Sequence, residues 1–144
     1  MDGKKWGEIP FGNRGHSDLL NSMTTFLFWN VNHNRLEPRI AVLAYRNEVD
    51  VIMLAESAML PADVLRELNR QGRSLYYYVP KIGCERIEIF ARFPSEFIPP
   101  IYETDRTTIR HLQLPGLTDI LLAVTHLPSK LHWRDSSQVF ECIE

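Results

Sequence analysis

The stretch Asp50-Val51-Ile52-Met53-Leu54-Ala55-Glu56-Ser57 decides the fold. An unbroken apolar run lies between an aspartate and a glutamate. An amphipathic helix would interrupt such a run every third or fourth position, and a strand with one wet face would interrupt it at every second. An uninterrupted run suits a strand covered on both faces, as the strands of α/β sheets are.

The neighbouring segments agree. Upstream, residues 35–48 place Leu36, Ile40, Leu43, Ala44 and Asn47 at helical intervals, so an amphipathic helix leads into the strand. Asn32-His33-Asn34 is a turn and helix-start signal. Residues 24–31, rich in aromatic and β-branched side chains, read as another buried strand. Downstream, residues 57–60 form a loop and Pro61 opens a second helix, whose polar side is Asp63, Glu67 and Arg70. Beyond Gly72 the character changes: residues 75–79 are a tyrosine-rich strand, and 80–83 a turn. Residues 86–91 and 107–114 alternate as strands do, with Pro115-Gly116 as a hairpin turn into a strand over 118–125. The fold class is therefore α/β with a mixed sheet, whose later strands are hairpin-linked. There is no internal repeat. Residues 1–23 read as an N-terminal extension, leaving 24–144 as the domain.

With 144 residues, 44% hydrophobic and 24% charged, the chain can bury a core and has the composition of a soluble globular protein. Its longest apolar runs, Val51–Ala55 and Ile120–Thr125, are too short to span a bilayer. No apolar stretch follows Lys4 and Lys5, so a secretory signal is not expected and a cytoplasmic location is. A formal charge of −2 is lower than that of a dedicated non-specific DNA binder. Cys84 and Cys142 share no metal-ligand spacing with a histidine and read as buried, reduced thiols.

In open α/β sheets ligands collect beyond the carboxyl ends of strands. Asn30, Glu56 and His126 each close a strand. Singly, they read as a turn former, a solvated carboxylate and a hydrogen-bonded structural imidazole. If their strands run parallel and adjacent, an amide, a carboxylate and an imidazole converge on one rim. That shared placement points to chemistry.

Four blocks carry a resemblance. Phe28-Trp29-Asn30-Val31-Asn32 resembles the opening motif of the endonuclease/exonuclease/phosphatase superfamily, and residues 50–57 resemble its strand ending in an acidic residue. Ile89-Phe90-Ala91-Arg92-Phe93-Pro94 is similar to its serine-arginine-aromatic-proline strand, with Ala91 for the usual serine. Leu121-Leu122-Ala123-Val124-Thr125-His126-Leu127 is similar to its histidine-bearing strand. The resemblance implies the first half of a four-layer αββα sandwich, one mixed β-sheet with helices on one face, and magnesium-dependent hydrolysis of phosphoesters, with manganese as an alternative ion. It makes Glu56 a metal ligand, Asn30 the group orienting a metal-bound water or a phosphate oxygen, and His126 a donor to the phosphate. Arg92 and Arg106 are second-rank phosphate contacts, since guanidinium groups fit phosphate oxygens. Nucleic acids, inositol phosphates and phospholipid headgroups are the substrates implied. The Thr-His-Leu strand end leans towards the DNase-like and phosphodiesterase branches.

The family continues with an Asp-x-Asn block and an Asp-His pair, and residues 128–144 contain neither. The expectation is a half-fold that is inactive alone and has a bare sheet face open to self-association or a second polypeptide. A non-catalytic scaffold is the alternative. Two further sites are disfavoured. A serine hydrolase on Ser129, with His126 or His132 and Asp135, lacks the glycines of a nucleophile elbow. A zinc site through His126 and His132 lacks a usual ligand spacing. Tyr76, Tyr77 and Tyr78 read as sheet packing more readily than as a base-stacking face, and His16, His33 and His111 as structural or solvated.

Overall fold

A computed structural model describes residues 24–70, 75–114 and 119–127. The elements run β1 (Phe26–Asn30), α1 (Glu37–Arg46), β2 (Val51–Ala55), α2 (Pro61–Asn69), β3 (Tyr77–Val79), β4 (Ile87–Ala91), β5 (Pro100–Glu103), β6 (Thr107–Leu112) and β7 (Ile120–Thr125). No described helix is long and apolar enough to cross a membrane. The N-terminal extension, the turn at Pro115-Gly116, and Cys142, Ser129, His132 and Asp135 lie outside the described residues.

The strands form two sheets. The first, ordered β1-β2-β4-β3, is mixed: β1 is parallel to β2, and β4 is antiparallel to both β2 and β3. The second, β5-β6-β7, is antiparallel throughout. The mixed sheet is as the sequence implied, but the hairpin strands leave it for a sheet of their own. Pro94, Pro99 and Pro100 account for the division, because proline cannot donate to a ladder, and a short 3-10 turn at Ser95–Phe97 redirects the chain between them. Strand β5 was not legible in the sequence. It opens on a proline and sits at the sheet's edge, where a missing donor is tolerated.

All five residues of β2 are buried. Ile52 and Leu54, with Phe90 of β4, pack against Ile40 and Ala44 of α1 and Val64 and Leu68 of α2. Val51 and Met53, with Ile87, Ile89 and Ala91 of β4, pack against Ile98, Leu112 and Val124 on the side of the second sheet. The result is three layers: helices, mixed sheet, second sheet. The expected bare sheet face is thus covered over β2 and β4. It remains open at β1, where Phe26 and Phe28 are 38% and 49% exposed.

The alternating pattern of β4 did not leave a wet face either. Glu88 is buried because Tyr78 Oη donates to it at 2.8 Å and Lys81 Nζ at 2.9 Å. Of the three tyrosines, Tyr76 is buried and its hydroxyl donates to the Val49 carbonyl at 2.6 Å. Burial, helped by Asp50 and opposed by Arg92, pushes that phenol up to about 12. Tyr78 rests against Phe90, with ring centroids 5.5 Å apart. Both are packing residues. In α1 the buried face is Ile40 and Ala44, while Leu43 turns outward. Cys84 is a buried free thiol whose pKa burial raises.

A buried ion pair helps hold the second sheet to the loop that follows β3. Glu103 accepts from Arg110, from the Thr108 hydroxyl at 2.7 Å and from the Gly83 amide at 2.6 Å. Arg110 also donates to the carbonyls of Ile98 and Pro80. Burial alone would raise the Glu103 carboxyl. The Thr108 and Gly83 hydrogen bonds and the Arg110 charge outweigh it and hold the group below its usual range. Its stabilisation is therefore fully present above the unfolded value of about 4.3 and lost as pH falls through the lower folded value. With the two side chains only 5% and 4% exposed, Glu103→Gln strands the arginine charge. We expect a loss of about 3–5 kcal/mol in urea unfolding at neutral pH. The gap between variant and wild type should narrow below about pH 4, where the wild-type carboxylate also protonates.

Candidate functional site

The parallel register Asn30↔Ala55 brings the ends of β1 and β2 side by side, and the ladder continues as Val31 N–H donates to Ala55 O at 3.0 Å. Both strands then end in left-handed turns. Asn32, His33 and Glu56 have φ of 46°, 56° and 52°, and are three of the four described non-glycine residues with positive φ. Left-handed backbone costs an L-residue roughly 1–2 kcal/mol, and asparagine and histidine tolerate it better than most. The two turns are tied together by His33 N–H donating to Glu56 O at 2.8 Å. Asn30 Oδ1 accepts the Asn32 amide at 2.9 Å, an Asx turn that orients the Asn30 side chain and leaves Nδ2 as its donor for another partner.

His126 arrives from the other sheet. The pairing Thr107↔Thr125 extends by one step as His126 N–H donates to Arg106 O at 2.8 Å. Ile120, Leu122 and Val124 face inward along β7, and strand alternation makes His126 the next inward residue. Its Nε2 lies 2.8 Å from Glu56 Oε1. An ionised carboxylate only accepts, so Nε2 carries the proton. Nδ1 is buried without a hydrogen-bond partner among the described residues.

Asn30, Glu56 and His126 therefore share one rim, but not by the route that the strand order suggested. The strands of Glu56 and His126 are not adjacent. They belong to different sheets, and face-to-face packing brings the two side chains together. Arg106 is on the same rim through its backbone bond to His126, with its side chain 37% exposed and its Nε 4.0 Å from Asp105. Arg92 is not. Because β4 runs antiparallel to β2, Ala91 pairs with Val51, and Arg92 emerges beyond the start of β2, where it meets Asp50 at 3.5 Å. Glu56 lies past the other end of that strand, six residues on from Asp50 and so roughly 20 Å away at about 3.3 Å per residue. The structure thus sets Arg92 at the opposite end of β2 from Glu56. Asn32 and His33 read in the sequence as part of a turn and helix-start signal; their left-handed backbone had no clear signal there.

The donor set here is one carboxylate, 24% exposed on its side chain, beside one amide. It suits a hard ion such as magnesium, which takes one or two carboxylates and keeps several waters. It does not suit tetrahedral zinc, and no group of three or more His, Cys, Asp or Glu is gathered for a metal among the described residues.

No family model and no curated protein matches the chain. Among solved structures, it is similar to a crystal structure of humanized D. rerio TDP2 carrying 14 mutations, with 17% identity and a TM-score of 0.50, over 83% of this chain and 54% of that one. It is also similar to an endonuclease/exonuclease/phosphatase family protein from Leptotrichia buccalis C-1013-b, with 15% identity and a TM-score of 0.52, over 84% of this chain and 60% of that one. The chain spans a little over half the length of these structures. Its fold is a partial endonuclease/exonuclease/phosphatase-like fold, as the sequence blocks implied.

Removing the Glu56 carboxylate leaves a largely buried imidazole without its acceptor. We expect Glu56→Ala to lower unfolding free energy by about 1–3 kcal/mol. Glu56→Gly should cost about 1 kcal/mol less, because glycine adopts the left-handed backbone freely. Urea unfolding of the two variants side by side measures that difference.

Proposed function

We propose that the chain is the N-terminal part of a magnesium-dependent phosphoester hydrolase, working on a nucleic acid, an inositol phosphate or a phospholipid headgroup. The observation that carries this reading is the meeting of Glu56 and His126 across two sheets, 2.8 Å apart, beside the end of Asn30's strand. The fold likeness to an endonuclease/exonuclease/phosphatase family protein supports it.

Glu56 would hold the ion, with manganese able to replace magnesium. A divalent ion there supplies Lewis acidity that polarises a phosphoryl oxygen and supports the leaving oxygen. Asn30 donates through Nδ2 to a phosphate oxygen. His126 reaches phosphate through Nε2, since Nδ1 is enclosed, and in doing so exchanges the carboxylate for a phosphate oxygen that gains charge during attack by water. Arg106 adds a guanidinium suited to the same anion. A cytoplasmic location is part of the proposal. So is use of the exposed Phe26 and Phe28 face by a second copy or a second polypeptide.

Two measurements test it. Adding magnesium to the full chain should shift the amide signals of Asn30, His33 and Glu56 saturably in NMR spectra, and Glu56→Ala should abolish the effect. Flat signals would favour the scaffold reading. Turnover should be weak, because each transition-state contact that is missing is worth about two to three orders of magnitude. We expect bis(p-nitrophenyl) phosphate hydrolysis no faster than that of the Glu56→Ala control. Clear turnover that disappears in the control would show the site to be complete as it stands.

A further inference from the structure

We infer that His33 is a further substrate-binding residue of this rim, contacting the phosphoester anion through its imidazole. The inference rests on the phosphoester reading and extends it to a residue that the four sequence blocks do not include.

His33 is placed by its backbone. Its amide donates to the Glu56 carbonyl at 2.8 Å, so its side chain starts one hydrogen bond from the proposed metal ligand. The residues around it all serve the turn. Asn30 Oδ1 takes the Asn32 amide, and Asn34 Nδ2 donates to the carbonyls of Val31 and Asn32 at 2.9 and 3.2 Å. The imidazole of His33 makes no hydrogen bond or ion pair among the described residues and is exposed. It does not cap α1, which begins at Glu37 with Leu36 as the residue before it. Nor does it fill the core.

Yet the position carries a cost. With φ at 56°, directly after Asn32 at 46°, glycine would sit there without strain. A side chain kept in strained backbone, next to a carboxylate and an imidazole at a strand end, is the kind of outlier from which a function is inferred. The chemistry matches the rim. Asn30 Nδ2, His126 Nε2 and a ring N–H of His33 are donors around the Glu56 carboxylate, and Arg106, paired with Asp105, follows on the same rim. A tetrahedral anion with several acceptor oxygens is the ligand such a set accommodates.

The test uses the full chain with magnesium present and inorganic phosphate as the probe, followed by the histidine ring signals and by the fitted Kd. The wild type should bind phosphate with the His33 and His126 ring signals shifting together. His33→Gly should bind about tenfold more weakly, the scale of one hydrogen bond to a charged group. Its Tm should be unchanged or higher, because the strained backbone is relieved. His33→Lys, which keeps a donor on a side chain, should recover most of the affinity. Wild-type affinity in His33→Gly, alongside loss in Asn30→Ala, would sink this inference and leave the site standing. Failure of the lysine to recover affinity would assign His33 to the turn's architecture and sink it too. A wild type that binds no phosphate would overturn both this inference and the phosphoester reading.

Discussion

Strand β2 lies between two apolar layers, and the placement of the site depends on it. Val51, Ile52, Met53 and Leu54 each contribute on the order of 1.5–3 kcal/mol by burial. Such a run has a weakness, however. A strand with one wet face is held in register because slipping by one residue turns its polar side chains inward. Val51–Ala55 has no polar side chain to misplace. Register must come from its ends. At the start, the Asp50 carboxylate accepts the Thr25 amide at 2.9 Å while the Asp50 and Val51 amides donate to Thr25 O. At the finish, Ala55 O and Glu56 O accept from Val31 and His33. The polar residues flanking the apolar run are thus what fix β1 against β2. The same contacts set Asn30 beside Glu56.

This explains which parts of the molecule were legible in the sequence. Double-sided burial of β2 could be read from its unbroken apolar run, and Asn30, Glu56 and His126 could be read as strand-end polar residues because a ladder ends where the pattern does. Partition into sheets could not, since it depends on which edge a strand joins. Pro94, Pro99 and Pro100 send β5, β6 and β7 into a second layer, and His126 reaches Glu56 across the sandwich instead of along a sheet. Arg92 stands apart from that rim for a related reason. A motif records nearness along the chain, whereas the antiparallel pairing of β4 with β2 carries the residue after β4 to the wrong end of the strand.

Glu88 and Arg110 mark another limit of pattern reading. Each stands in a strand at a position that alternation assigns to solvent, or that an apolar residue would ordinarily occupy, and each is buried. Lys81 and Tyr78 cover one; Glu103, Thr108 and two carbonyls cover the other. Burial of a charge requires partners. Here most of them come from neighbouring strands and loops that pairing and packing bring alongside, so the alternation of the strand itself holds no trace of them.

The two flanks of the sandwich are held differently, and the difference bears on how a ligand could enter. On the flank of β3 and β5, Glu103 and Arg110 bind the second sheet to the loop at Pro80 and Gly83 with several charge-assisted bonds. On the flank of β1 and β7, the polar link described between the sheets is the single contact of His126 with Glu56, and the neighbouring Phe26 and Phe28 stand exposed. An anion competing for the imidazole, or a cation competing for the carboxylate, would need to displace one hydrogen bond there. On the opposite flank it would have to break a buried network. A sandwich closed firmly on one side and lightly on the other can exchange its inter-sheet contact for a ligand without losing the second sheet, and Glu56 and His126 occupy the side where that exchange is affordable.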